Sequence, residues 1–131
     1  MLALKTSVSA AHHEVSEDID LSAPQEVIGK VAFVEWTNPH VTVHVLTDDL
    51  PGAQKYWLIQ ADSPSALLSR GISRATLEDT DPIAVTQYAS NINSCTTTCV
   101  SYGLSFTDSS GNVQILSAEI AALLSELRFG N

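Results

Sequence analysis

The chain has 131 residues, 44% of them hydrophobic and 16% charged, and its 6 Lys and Arg face 15 Asp and Glu for a formal charge of -9. That is one domain's worth of polypeptide, which buries about two thirds of the surface its unfolded form exposes and needs neither metal nor disulfide to hold a core. The acidic balance without any Lys/Arg cluster argues against nucleic acid or an anionic membrane as partner, and no apolar run approaches the roughly 20 residues of a spanning helix.

Taken in chain order, Met1 to Ala11 ends in Val8-Ser9-Ala10, a pattern that a signal peptidase accepts, but lacks an apolar stretch before it. It reads equally as the remnant of an export signal or as an ordinary N-terminal arm. Glu14, Glu17, Asp18 and Asp20 lack the spacing of a calcium loop and read as a solvated face. A first strand is expected from Val27 to Trp36, with Val27, Val31 and Phe33 on one face, Val34 and Trp36 on the other, and Gly29 at a bulge or bend. The second shows the cleanest alternation, Val41, Val43 and Val45 against His40, Thr42 and His44. The turn Asp48 to Gly52 then predicts antiparallel pairing with a third strand, Lys55 to Ala61.

Ser63 as cap, Pro64 in the first turn and Gly71 beyond the end predict a helix of about two turns. Further strands are expected over Ile83–Tyr88, Val100–Thr107 and, after a turn at Asp108 to Asn112, Val113–Leu116. In the second of these Val100, Tyr102, Leu104 and Phe106 alternate against Ser101, Gly103, Ser105 and Thr107. Ser117 caps a last helix whose Ile120, Leu123, Leu124 and Leu127 form a stripe that must bury against the sheet or a partner subunit. This order predicts a mainly β protein, a small OB-like five- to six-stranded Greek-key barrel with a short helix after strand 3 and a C-terminal amphipathic helix. The divisions are an arm over 1–26, a barrel over 27–116 and a helix over 117–131. An open α+β sheet is the alternative.

Ala11-His12-His13, Gly29, Glu35-Trp36-Thr37-Asn38-Pro39-His40 and Ser63-Pro64 with Leu67-Leu68, Arg70 and Gly71 carry a resemblance. The chain resembles an uncharacterised family of small exported bacterial proteins, a domain of unknown function, with an N-terminal His-His pair, an E-W-x-N-P-H signature and an S-P-x-x-L-x-R-x-G segment. The resemblance covers residues 11 to about 88. It implies an OB-like barrel and a periplasmic or extracellular location, and brings no established activity. The tail from Ser90, with Cys95 and Cys99, is not the family's usual ending.

His12, His13 and His40 fall on these motifs and invite a metal reading. A terminus freed before Ala11 or His12 would offer an amine and imidazoles suited to copper, against the plainer reading of arm residues and a locally bonded turn histidine. His40 and His44 stand about 13 Å apart along a strand, too far to share an ion unaided. Trp36 and Asn38 are candidates to line a ligand pocket, with a core role for Trp36 as the competing reading. Cys95 and Cys99 are read first as a small-loop disulfide, which requires the segment to loop, and otherwise as free thiols or bonds between chains. No nucleophile elbow, zinc-protease helix, phosphate loop or dinucleotide fingerprint occurs, so no enzyme is expected. The leading expectation is a non-catalytic exported binding or assembly module. A self-associating structural subunit joined through its arm, and a periplasmic copper protein, are the alternatives.

Overall fold

Valine-rich alternation builds the sheet, because β-branched side chains pack well on a pleated surface. The computed structural model of the chain describes residues 18–47, 54–91 and 95–129. Within them run β1 (Gln25–Glu35), β2 (Thr42–Thr47), β3 (Tyr56–Gln60), α1 (Pro64–Ser69), α2 (Arg74–Glu78), β4 (Ile83–Ala89), β5 (Thr98–Thr107), β6 (Val113–Ile115) and α3 (Ala118–Phe129). Antiparallel ladders join β2 to β1 and β3, β4 to β1 and β5, and β6 to β5. A parallel pairing of β3 with β5 closes the first five strands into a barrel. This is the OB-like Greek-key barrel expected from the sequence, with β6 as the extra strand. The turn at Asp48 to Gly52 lies outside the described residues, and the antiparallel β2–β3 pairing that it predicted is present.

Two bulges decide which side chains face inward. The register of β1 against β2 runs Val31 to Val45 and then Phe33 to His44, so Ala32 is an extra residue on β1. Val27, Val31 and Val34 therefore all turn toward the core, while Phe33 turns out. Strict alternation had placed Phe33 with Val27 and Val31, and one inserted residue reverses that assignment. On β5 the register steps from Ser105 to Gly103 across Leu104. Phe106 consequently fills the barrel, and Tyr102 and Leu104 face outward under Ile19 and Ile120. Gly103 keeps the interior open for these neighbours, since a Cβ there would press on Ile59 Cγ2 at 2.9 Å and Leu116 Cδ1 at 3.0 Å. The expected bend at Gly29 is the barrel's corner: this residue pairs with Ile83 of β4 and with Thr47 of β2.

Helices close one end. Ser63 accepts the Ala66 N–H and Pro64 stands in the first turn of α1, as expected. A second helix, α2, comes directly after it, opened by a Ser73–Thr76 capping box in which Thr replaces the usual Glu or Gln. Leu67, Ile72 and Leu77 from this segment are fully buried in the core cluster. Arg70, part of the quoted S-P-x-x-L-x-R-x-G segment, ties the end together: it donates to the Asp62 carboxylate and to the Ile115 carbonyl. The same Asp62 oxygen accepts the Ala118 N–H at the start of α3.

The described residues just before β1, from Asp18 on, pack onto the body of the protein. Asp18 is buried and accepts hydrogen bonds from Ser90 Oγ at 2.7 Å and Tyr102 Oη at 2.8 Å, while its carbonyl receives the Asn91 N–H. It is thus no part of a solvated face, whereas Asp20 is exposed as expected. Ile19 packs beside it with Tyr88 and Ile120. In α3 only the first apolar turn is covered: Ile120 is buried, Leu123 and Leu124 are half-buried, and Leu127 is 68% exposed. The stripe expected to bury against the sheet does so over half its length. Cys95 and Cys99 form a disulfide with Cα atoms 4.7 Å apart, and β5 begins only at Thr98, so the chain loops between them as the pairing requires.

Candidate functional site

The E-W-T-N-P-H string divides across the barrel wall. Trp36 is partly buried against the core cluster, which favours its packing role. Glu35 points outward, and Thr37, Asn38 and Pro39 form the exposed β1–β2 connection, whose Asn38–Pro39 bond is cis. His40 is exposed beside a small groove of about 50 Å³ lined in part by Gln60, Asp62, Tyr102 and Glu119. His12 and His13 lie outside the described residues. Among the described residues no group of three or more His, Cys, Asp or Glu side chains is placed to hold a metal.

A different constellation stands on the outer face of β1, β2 and β3. Val43 and Val45 take the inside of β2, which leaves Thr42, His44 and Leu46 outside; Trp57 and Ile59 do the same for β3 and leave Tyr56 outside. Glu35 lies opposite Thr42 and Tyr56 opposite Leu46, so both are diagonal neighbours of His44, within reach of long side chains. His44 Nε2 meets Glu35 Oε1 at 2.6 Å and His44 Nδ1 meets the Tyr56 hydroxyl at 2.9 Å. With its proton on Nε2 the neutral ring donates to Glu35 and accepts from Tyr56. A protonated ring donates at both ends, so the network is satisfied in either charge state.

Phe33 extends this row. Its ring stands edge-on to His44 with centroids 5.4 Å apart, and His44 stands edge-on to Tyr56 at 5.5 Å, so three rings line up across three strands. Arg74, brought alongside by α2, holds its guanidinium 6.0 Å from the Phe33 centroid and pairs with Glu78 one turn on. Further along the same face Ile28 and Leu46 border a cleft of about 370 Å³ with Lys30, Asp81 and Pro82. Ile28, Phe33 and Leu46 are 53%, 48% and 36% exposed, and they are three of the six large apolar side chains that the described residues leave in solvent. Scattered exposed apolar residues are ordinary, but three on one face beside a cleft make a patch.

Sequence reading had His44 on the polar side of its strand but joined neither Glu35 nor Tyr56 to it. The missing link was register, because the three residues come from separate strands 9 and 12 positions apart. The usable signal was parity: Tyr56 precedes the inward Trp57, and Glu35 precedes the inward Trp36. Comparison with known proteins adds one finding. Residues 1–99 match a family of unknown function, DUF6152. The match ends just inside β5, so the rest of β5, β6 and α3 lie beyond it. No curated protein and no solved structure matches the chain.

Proposed function

The chain belongs to the DUF6152 family of unknown function, and from that premise we propose that it is a non-catalytic binding module whose ligand lies on the outer face of β1, β2 and β3. The observation that carries this reading is the row Phe33, His44 and Tyr56, continued by Leu46 and Ile28 to an open cleft. A fold gains nothing from apolar groups left in water, whereas a recognition surface needs them held in place. Here they are held, since both ring nitrogens of His44 are engaged and the strands beneath are paired on each side at β2 and β3. The Glu35 side chain is 47% exposed, which suits recognition better than proton transfer in a water-excluded site. The Cys95–Cys99 disulfide supports placing the protein in an oxidising compartment, periplasmic or extracellular.

Amide chemical shifts test the reading directly. Small organic probes, phenol and isopropanol, are expected to perturb the backbone amides of Ile28, Phe33, His44 and Leu46 before those of any other surface. Perturbations that cluster elsewhere, or that spread evenly, would overturn the assignment of the face.

A further inference from the structure

We infer that the Cys95–Cys99 disulfide is a site of thiol–disulfide exchange with a dithiol partner, and that its reduction loosens the closure of the barrel beside Tyr56. Sequence and cross-link favour different shapes here. Thr96, Thr97 and Thr98 are β-branched and suit an extended strand, which over four residues would carry its ends about 13 Å apart. The disulfide instead holds the Cα atoms of Cys95 and Cys99 at 4.7 Å, so the chain bends there and β5 starts only at Thr98. A disulfide stabilises a fold chiefly through the loop it closes, and one with a sequence separation of 4 closes a very short loop. Both cysteines lie at the start of one strand, so the bond ties no two elements together, while β4 and β5 hold each other by their own ladder. Its effect is therefore local.

What the bond fixes is the carbonyl of Thr97, which lies between the two cysteines and accepts the Tyr56 N–H at 2.7 Å. That hydrogen bond leads into the parallel pairing of Tyr56 with Thr98 and Trp57 with Cys99, the ladder that closes the barrel. The Tyr56 hydroxyl in turn meets His44 Nδ1. A short path thus runs from the disulfide through the Thr97 carbonyl and Tyr56 to the His44 network. Exposure sets the direction of attack: Cys99 is fully buried, whereas Cys95 is half-buried with Thr96 and Thr97 exposed beside it. One thiolate of the dithiol attacks the Cys95 sulfur, forming a mixed disulfide and expelling Cys99 as a thiolate that takes up a proton. The second thiol of the partner, as its thiolate, then displaces Cys95, which is protonated in turn. Two electrons pass to the cysteines, and the dithiol leaves as a disulfide. Once freed, the segment straightens, the Thr97 carbonyl leaves Tyr56, and the first rungs between β3 and β5 open while the antiparallel ladders keep the fold.

The test uses the full chain and dithiothreitol as the dithiol, with no ligand present, so its outcome is separate from that of the binding-face reading. Hydrogen exchange at the Tyr56 amide is expected to become about tenfold faster or more on reduction and to recover on reoxidation. The ring nitrogen signals of His44 are expected to shift with it, while the unfolding midpoint falls by no more than about 10 °C. Cys95→Ala combined with Cys99→Ala serves as the control, in which dithiothreitol should change neither signal. The inference is overturned if dithiothreitol leaves the disulfide of the folded protein intact, if the reduced protein keeps the Tyr56 exchange rate and His44 signals of the oxidised one, or if the control responds to dithiothreitol as the parent does. Reduction that unfolds the whole barrel would also overturn it, by making the bond a staple of the fold.

Discussion

Gly29→Ala is expected to destabilise the protein by about 3 kcal/mol, seen as a fall of about 10 °C in the unfolding midpoint. The glycine sits where β1 passes from its ladder with β4 to its ladder with β2, so the two sheets of the barrel meet at its backbone. A Cβ at this position would run into the carbonyl group of Leu46 and stand 3.0 Å from the Thr47 Cα. These are backbone atoms within the β2 ladder, and no rotamer change relieves them. Either β2 moves away, breaking the Gly29–Thr47 pairing, or the corner opens. Ordinary φ freedom is not the issue, because among the described residues the left-handed glycines are Gly71 and Gly111, where a Cβ would meet open space. An alanine variant within about 1 kcal/mol of the parent would show that the corner yields more easily than its close backbone contacts imply.

The second large effect is expected at Asp18. Its carboxylate is buried, with 4% of the residue exposed, and it accepts the hydroxyls of Ser90 and Tyr102 on β4's exit and on β5. Asp18→Ala removes a charged acceptor from both hydroxyls at once and loosens Ile19 from Tyr88 and Ile120. A loss of about 2–4 kcal/mol is expected from removing one side of a buried charge-assisted network. Asp18→Asn keeps the shape and one acceptor oxygen, so it should recover part of that loss. Urea unfolding of both variants checks the order. Equal stability of parent and alanine variant would mean that the segment before β1 is not a working part of the body.

Much of the barrel was legible because its signals are local. The alternation in β2, the cap and proline of α1, and the Asp108 turn are each complete within a few residues. In that turn Asp108 accepts hydrogen bonds from Gln114, Asn112 and Ser110, and these, Gln114 foremost, hold its carboxyl below the usual carboxylate range. Stability from this turn is therefore present at neutral pH and lost as acid protonates the carboxyl. Face assignment was less legible. Ala32 and Leu104 look like any strand residue, yet each is an extra residue that reverses the facing of the side chains after it, which is why Phe33 and Phe106 ended on the faces opposite to simple alternation. The site was least legible of all. Glu35, His44 and Tyr56 meet only after three strands are set in register, and one of those strands carries a bulge between Val31 and Phe33. The same insertion that hid Phe33 from the sequence places it on the outer face proposed to bind.

One comparison tests the central claim most directly, because it separates residues kept for the fold from residues kept for a ligand. Phe33→Ser combined with Leu46→Ser removes two exposed apolar side chains from the outer face without touching the core cluster. The double variant is predicted to unfold within about 1 kcal/mol of the parent while the amide shifts induced by phenol at His44 and Ile28 disappear. A drop in stability as large as that of a core substitution, about 2–5 kcal/mol, or phenol shifts that persist unchanged, would contradict it.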